Sequence, residues 1–175
     1  MSYDMQAILD EVYEACAMPA TYERIYPTVE RSDVPDDCFA IAIATADGQV
    51  YSVGSAEQMF PLQSISKVFT YGIALEDNGR EKVLERIGVE PSGRQYNAIY
   101  LEESTGRPYN PMVNAGAIVV ADLISGLDLT DRLERVIRKI SRYVGRRLAV
   151  DPPTFTYEFQ TDHRNRAIAH LMRST

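Results

Sequence analysis

Apolar residues in this chain recur first at helical and then at strand spacing, and each change of period marks an element. From Met5 to Ala17, the residues Ile8, Leu9, Val12 and Cys16 fall between acids, which predicts an amphipathic helix. Pro19, Pro27 and Pro35 make the following stretch to Asp37 a connection, with room for a short helix around Tyr22. Cys38 to Thr45 alternates small with large apolar residues, the pattern of a half-buried strand. Asp47-Gly48 then turns the chain into a second strand over Gln49 to Gly54.

Helical spacing returns after Pro61. Ile65, Val68, Phe69 and Gly72 read as the inward stripe of a helix that begins near Ser64. Glu81 to Ile87 reads as a short helix. Gly88 to Pro111 is rich in loop signals, with Glu90-Pro91-Ser92-Gly93 and Gly106-Arg107-Pro108 as turns. Ala115 to Leu127 predicts a largely buried helix, and Asp131 to Tyr143 one with a charged outer face. No internal repeat or low-complexity tract interrupts this order. A lone two-stranded ribbon is marginal in water. Either it rests on helices or the strands that complete its sheet lie outside this chain.

Composition narrows the classes. A chain of 175 residues, 45% hydrophobic, suits one globular domain with a real core. Its formal net charge of -7 opposes phosphate backbones and anionic membranes, so neither nucleic acid nor membrane is an expected partner. No stretch approaches the roughly 20 apolar residues of a membrane span, and the first residues do not read as a secretory leader. The cytoplasm is the expected compartment. Cys16 and Cys38 have no metal-ligand spacing and read as reduced, structural thiols. With only His163 and His170 present, a His-based triad or a His-rich metal site has little material. A base for any nucleophile must come from elsewhere.

Ser64-Ile65-Ser66-Lys67 supplies one. Residues three apart on a helix share a face, so the Ser64 hydroxyl and the Lys67 amine point the same way, whereas Ser66 does not fit this spacing. A serine hydroxyl becomes a nucleophile when a base takes its proton. A lysine can be that base when burial lowers its pKa from about 10.4 toward neutrality. Pro61, Leu62, Ile65, Val68 and Phe69 make the neighbourhood apolar. A first-turn position also sets the hydroxyl beside unpaired backbone N–H groups that can stabilise an oxyanion. The plainer reading is a solvated helix turn, because Ser and Lys are common residues.

Other segments bear on that choice. Gln63-Ser64-Ile65-Ser66-Lys67, Glu90-Pro91-Ser92-Gly93, the run Tyr109-Asn110-Pro111-Met112-Val113-Asn114-Ala115-Gly116-Ala117-Ile118, and Glu158 followed by Asp162-His163-Arg164-Asn165 occur in order. In that order they resemble the serine-dependent glutaminase family, from about Cys38 to the last residue. The resemblance implies an α/β (α+β) fold of the β-lactamase/DD-peptidase-like type, an antiparallel sheet with a helical cluster. It implies hydrolysis of L-glutamine to L-glutamate and ammonia through a glutamyl-serine ester, with no metal and no organic cofactor. Ser64 is then the nucleophile and Lys67 its base, while Asn114, Glu158 and Asn165 hold the substrate. Tyr26, in Ile25-Tyr26-Pro27, stands near a family Tyr-Ile-Pro and is a further substrate-contact candidate. A homo-oligomer, a tetramer by family likeness, is the expected assembly.

Residue chemistry fits these roles independently. Glutamine carries an ammonium, a carboxylate and an amide, so its pocket needs one anion and several donors. Glu158 can be the anion, and the two asparagines can donate and accept without adding charge. Each residue has a rival reading. Asn114 can be a helix N-cap, and Glu158 and Asn165 can be surface polar residues. Asn110 before Pro111 reads as a turn residue, Met112-Val113 as core, and Glu102-Glu103 as solvated.

The family continues past the position matching Thr175. There it carries two further tyrosines and a Lys-Ser-Gly-Val-like strand whose N–H completes the oxyanion hole. Residues 1–175 are thus expected to be the N-terminal part of one catalytic domain, its sheet incomplete. Loss of one oxyanion donor alone lowers rate on the order of a hundredfold to a thousandfold. Two other readings stay open: a penicillin-binding or β-lactamase-like acylase of the same fold, and an inactive fragment serving as an assembly module.

Overall fold

The computed structural model of the protein describes residues 4–17 and 38–173, which fall into two compact units, Met1–Phe60 and Pro61–Thr175. In the first, helix α1 (Met5–Cys16) is capped by the Asp4 side chain, which accepts from the Ala7 N–H. Strands β1 (Ala40–Ala44) and β2 (Val50–Gly54) pair antiparallel, with Ala42 opposite Ser52. The hairpin reading is met to within two residues at each end.

This ribbon does not stand alone. Its large residues Ile41, Ile43, Tyr51 and Val53 occupy the half-buried face, while its alanines are exposed. Gln6 on α1 donates to the Ser52 carbonyl, and the Tyr13 ring stacks on Phe39 at 5.2 Å. The buried face of α1 differs from the expected one. Leu9 is buried and Tyr13 half-buried, whereas Ile8, Val12 and Cys16 are exposed. Contact with the ribbon, rather than apolar count, decided which stripe turned inward.

The second unit is a helical cluster. A 3-10 turn over Gln63–Ile65 runs directly into α2 (Ser66–Asn78), followed by α3 (Arg80–Arg86), α4 (Asn114–Leu123) and α5 (Leu129–Val144). Its core joins α2, α3 and α4 through Ala74, Val83, Ile87, Val119, Val120 and Leu123. Each fully buried aliphatic side chain of this size contributes roughly 1.5–3 kcal/mol. The inward stripe expected on α2 is corrected here. Ile65 and Val68 are 49% and 60% exposed, and the buried positions are Ile73 and Ala74. The helices α3 and α4 pack on that other face, so it is the one that dries.

Two helices had no counterpart in the periodicity. Pro152–Thr161 forms α6 and His163–Arg173 forms α7. The Asp151 side chain accepts from the Thr154 N–H, and Pro152 and Pro153 supply a preset first turn. The aromatic residues of α6 carry little amphipathic signal, since Phe155 and Phe159 are both exposed. Likewise, α4 starts at Asn114 and ends four residues short of Leu127, which is 98% exposed. Asp128 instead caps α5 by accepting from the Asp131 N–H.

Polar ties fix the helices in register. The Asn78 amide donates to the Ala74 and Leu123 carbonyls, which joins the ends of α2 and α4. Arg135 on α5 forks onto Asp77 of α2 at 2.8 and 2.7 Å, and the Ser125 N–H donates to the same carboxylate. Lys139 reaches Glu76 at 2.7 Å. In the loop zone Glu102 is not simply solvated. It accepts from Arg107 Nε at 2.7 Å with its side chain only 15% exposed. That pair closes the turn around Gly106.

Gly116 sets how closely α4 approaches the preceding turn. A Cβ there would lie 1.9 Å from the Asn110 carbonyl oxygen and 3.0 Å from Pro111 Cα, both backbone atoms that cannot swing aside. Gly116→Ala is therefore expected to destabilise the chain by about 1–3 kcal/mol, as overpacking does. Urea unfolding would measure it.

A second outcome follows from Asp77. The hydrogen bonds from Arg135 hold its carboxyl below the usual carboxylate range. A depressed folded pKa contributes stability above the unfolded value of about 3.9 and loses it as pH falls through the lowered one. The acid slope of unfolding free energy is expected to be shallower in Asp77→Asn than in the unaltered chain, as read from denaturant titrations between about pH 5 and 2.

Candidate functional site

The site is built where α2, α4 and α7 converge. Gln63 has φ +39°, a left-handed backbone that L residues with a side chain seldom adopt. The helical turn starts at this residue and carries Ser64 as its second position, so the hydroxyl sits in the first turn. Among the described residues the Ser64 hydroxyl makes no hydrogen bond, and its side chain is exposed. Ser66 is turned back instead, donating to the Gln63 carbonyl at 2.5 Å.

Lys67 is half-buried on the next turn. Its amine donates to Asn114 Oδ1 at 2.7 Å and to the Met112 carbonyl at 3.0 Å, and lies 5.7 Å from the centre of the Tyr96 ring. Burial pushes its pKa below the ordinary lysine value. Ser64 and Lys67 share the helix face, yet no hydrogen bond joins them among the described residues.

Asn114 is not the N-cap of α4. Val113 occupies that position with extended backbone, and Asn114 is the first helical residue, its carboxamide turned sideways. Its Nδ2 donates to Asn165 Oδ1 at 2.9 Å, and Asn165 Nδ2 donates to Asp162 Oδ2 at 2.6 Å. The Asn110 side chain makes this possible from a distance. It accepts from the Met112 and Val113 N–H groups, an Asx turn that shapes the entry into α4.

Glu158 lies apart from the amine. On α6 it accepts from Gln63 Nε2 at 3.3 Å and is exposed. With Asn165 it lines a shallow depression of about 330 Å³ whose apolar wall comes from Ile118, Phe155, Phe159 and Ala169. Ser64 and Lys67 are not in that wall, and Asn165, which is, connects to the lysine only through Asn114. Tyr26 lies outside the described residues. Sequence reasoning gave no role to Gln63, Tyr96, Asp162 or the Met112 carbonyl. Of these, Gln63, Met112 and Asp162 stood inside quoted motifs, and Tyr96 did not. Among the described residues no group of three His, Cys, Asp or Glu side chains is placed to hold a metal ion.

A family profile described as glutaminase matches residues 24–175. The chain belongs to the glutaminase family. It is 57% identical over 143 residues to a glutaminase of a Nostoc species, covering 82% of this chain and 43% of that protein. A Microcystis aeruginosa glutaminase is 52% identical over 134 residues, covering 77% and 40%. Among solved structures, Mglu in its tris and glutamate form superposes with TM-score 0.82 at 33% identity, covering 99% of this chain and 39% of that one. A probable glutaminase of Bacillus subtilis gives 0.74 at 34%, covering 79% and 45%. The fold is thus the β-lactamase-like α/β fold of these glutaminases, represented by the part that this chain spans. That part is less than half the length of each of these relatives. The family match does not favour the penicillin-binding or β-lactamase-like acylase.

The dependence of Lys67 on its neighbour can be measured directly. Asn114→Asp sets a carboxylate against the amine, and an opposite charge at this range favours the charged form. The Lys67 titration midpoint is expected to rise by about one unit or more in that variant. Amine labelling across a pH series, read by mass spectrometry of the Lys67 peptide, checks it.

Proposed function

We propose that the intact protein hydrolyses L-glutamine to L-glutamate and ammonia, and that residues 1–175 are the N-terminal part of its single catalytic domain. One observation carries the reading: in a chain of the glutaminase family, a half-buried amine one turn after Ser64 is held by Asn114 with its pKa lowered. Burial shifts an amine so placed toward its neutral form. A neutral lysine accepts a proton, which a solvated one does not.

In this mechanism Ser64 Oγ forms a bond to the side-chain amide carbon while its proton passes to Lys67 Nζ. The carbonyl pair moves onto oxygen, beside the N–H groups of the first turn of the helix. The C–N bond then breaks, the proton from Lys67 goes to the leaving nitrogen, and ammonia departs. Water repeats the cycle on the ester: its oxygen bonds to the same carbon, its proton passes through Lys67 to Ser64 Oγ, and glutamate leaves. Glu158 pairs with the substrate ammonium. Asn114 and Asn165 each use one side-chain N–H on the string described above, and the second N–H of each remains for the substrate carboxylate. Tyr26 is a further contact in this reading.

Support comes also from Mglu, a neighbour crystallised in a glutamate form, which is the product of this reaction. The exposed apolar residues Ile65 and Val68 fit a surface that the remainder of the domain would cover. We assign the protein to the cytoplasm on its two free thiols, and a homo-oligomer, a tetramer, on family likeness. Among the described residues no helix is long and apolar enough to cross a membrane.

A chimera in which the Nostoc glutaminase supplies everything beyond residue 175 tests the reading. Ammonia release from glutamine is expected, with kcat reduced about 10³-fold or more in Ser64→Ala and in Lys67→Ala. Undiminished release in either variant would refute the assignment of that residue. An inert chimera that is folded and of the relatives' assembly size would favour the fragment as an assembly module.

A further inference from the structure

Two asparagine carboxamides stand in series between a lysine and an aspartate. Lys67 offers hydrogens to Asn114 and Met112, and Asp162 as a carboxylate only accepts. A carboxamide has an oxygen end and an NH2 end, so two of them in line can satisfy both ends in one orientation only. Asn165 must turn Nδ2 to Asp162, which leaves its Oδ1 for Asn114. Asn114 must then turn Nδ2 to Asn165, which leaves its Oδ1 for Lys67. The distances of 2.6, 2.9 and 2.7 Å follow that single polarity.

We propose that Asp162 is a positioning residue that sets the polarity of this string, and through it the direction in which Lys67 can exchange a proton. The amine nitrogen has four tetrahedral positions, one of them its carbon. Two more point at Asn114 Oδ1 and the Met112 carbonyl, both of which accept hydrogens. The single remaining position carries the lone pair of the neutral amine, and in the proposed mechanism it is the one that takes the Ser64 proton. Were Asn114 reversed, its NH2 would face the amine and draw that lone pair away from Ser64. The inference rests on the glutaminase reading for its chemistry, but the polarity itself rests on the geometry alone.

Asp162 also has a structural task, since it joins α6 to α7 and its Oδ1 accepts from the Asn165 N–H as an N-cap does. The variants must separate the two tasks. Asp162→Ser keeps a capping oxygen but is too short to accept from Asn165 Nδ2, so it releases the string. Asp162→Asn keeps both size and cap yet offers an NH2 to Asn165, so it reverses the string. Both variants remove the same charge.

The measurement is pH-dependent labelling of amines in the purified chain, with Lys82 as internal reference and thermal unfolding as control. The Lys67 midpoint is expected to fall by about half a unit in Asp162→Ser and further in Asp162→Asn, because an ammonium facing an NH2 loses its acceptor. In an Asn165→Leu background both shifts are expected to vanish. Equal shifts in the two variants, no shift in either, or shifts that survive Asn165→Leu would each overturn the proposal. Failure of the catalytic reading looks different: Lys67 would titrate alongside Lys82 in the unaltered chain, whatever the Asp162 variants do.

Discussion

The hydrogen bond from Lys67 to Asn114, at 2.7 Å, is the contact on which the geometry of the candidate site depends. It joins a side chain on the first turns of α2 to one at the start of α4, two segments 47 residues apart. Taken from water, an amine loses solvation and its charged form becomes less favourable. Two neutral acceptors, Asn114 Oδ1 and the Met112 carbonyl, soften that loss without supplying a counter-charge. Burial can therefore lower the lysine pKa, as a carboxylate in the same place would not allow.

Much of the surrounding fold serves to hold those two helices at that separation. The shared core of Ala74, Val119, Val120 and Leu123 packs α2 on α4, and Asn78 ties their far ends. Gly116 lets α4 come down onto the Asn110–Pro111 turn, where the Asn110 carboxamide collects two backbone N–H groups. That turn also aims the Met112 carbonyl at the amine. The kink at Gln63 does the corresponding job on α2. It stands at the start of the helical turn that carries Ser64, and its side chain reaches Glu158 on α6.

Because Ser64 makes no hydrogen bond among the described residues and the Glu158 depression does not reach Lys67, the arrangement reads as a scaffold of parts rather than a closed pocket. Asn165 is the bridge between its two halves. The chain spans 43% of the Nostoc relative's length.

The sequence alone was enough to find the helical turn that carries Ser64 and Lys67, the hairpin at Asp47-Gly48, the helices around α4 and α5, and the family, because these rest on local spacing and on short ordered motifs. Local signals could not choose which face of α1 or α2 turned inward. Ile65 and Val68 are as apolar as Ile73, and only the packing of α3 and α4 made the latter face dry. Nor did they yield α6 and α7, the first of which starts on the Asp151 cap and two prolines rather than on an apolar stripe. The role of Glu102 was hidden for a similar reason, since its partner Arg107 is brought round by a turn. Asn114 is the clearest case. By position it could have been a helix cap, and tertiary structure made it a bridge, because what a carboxamide does depends on which donors and acceptors the fold brings to its two ends.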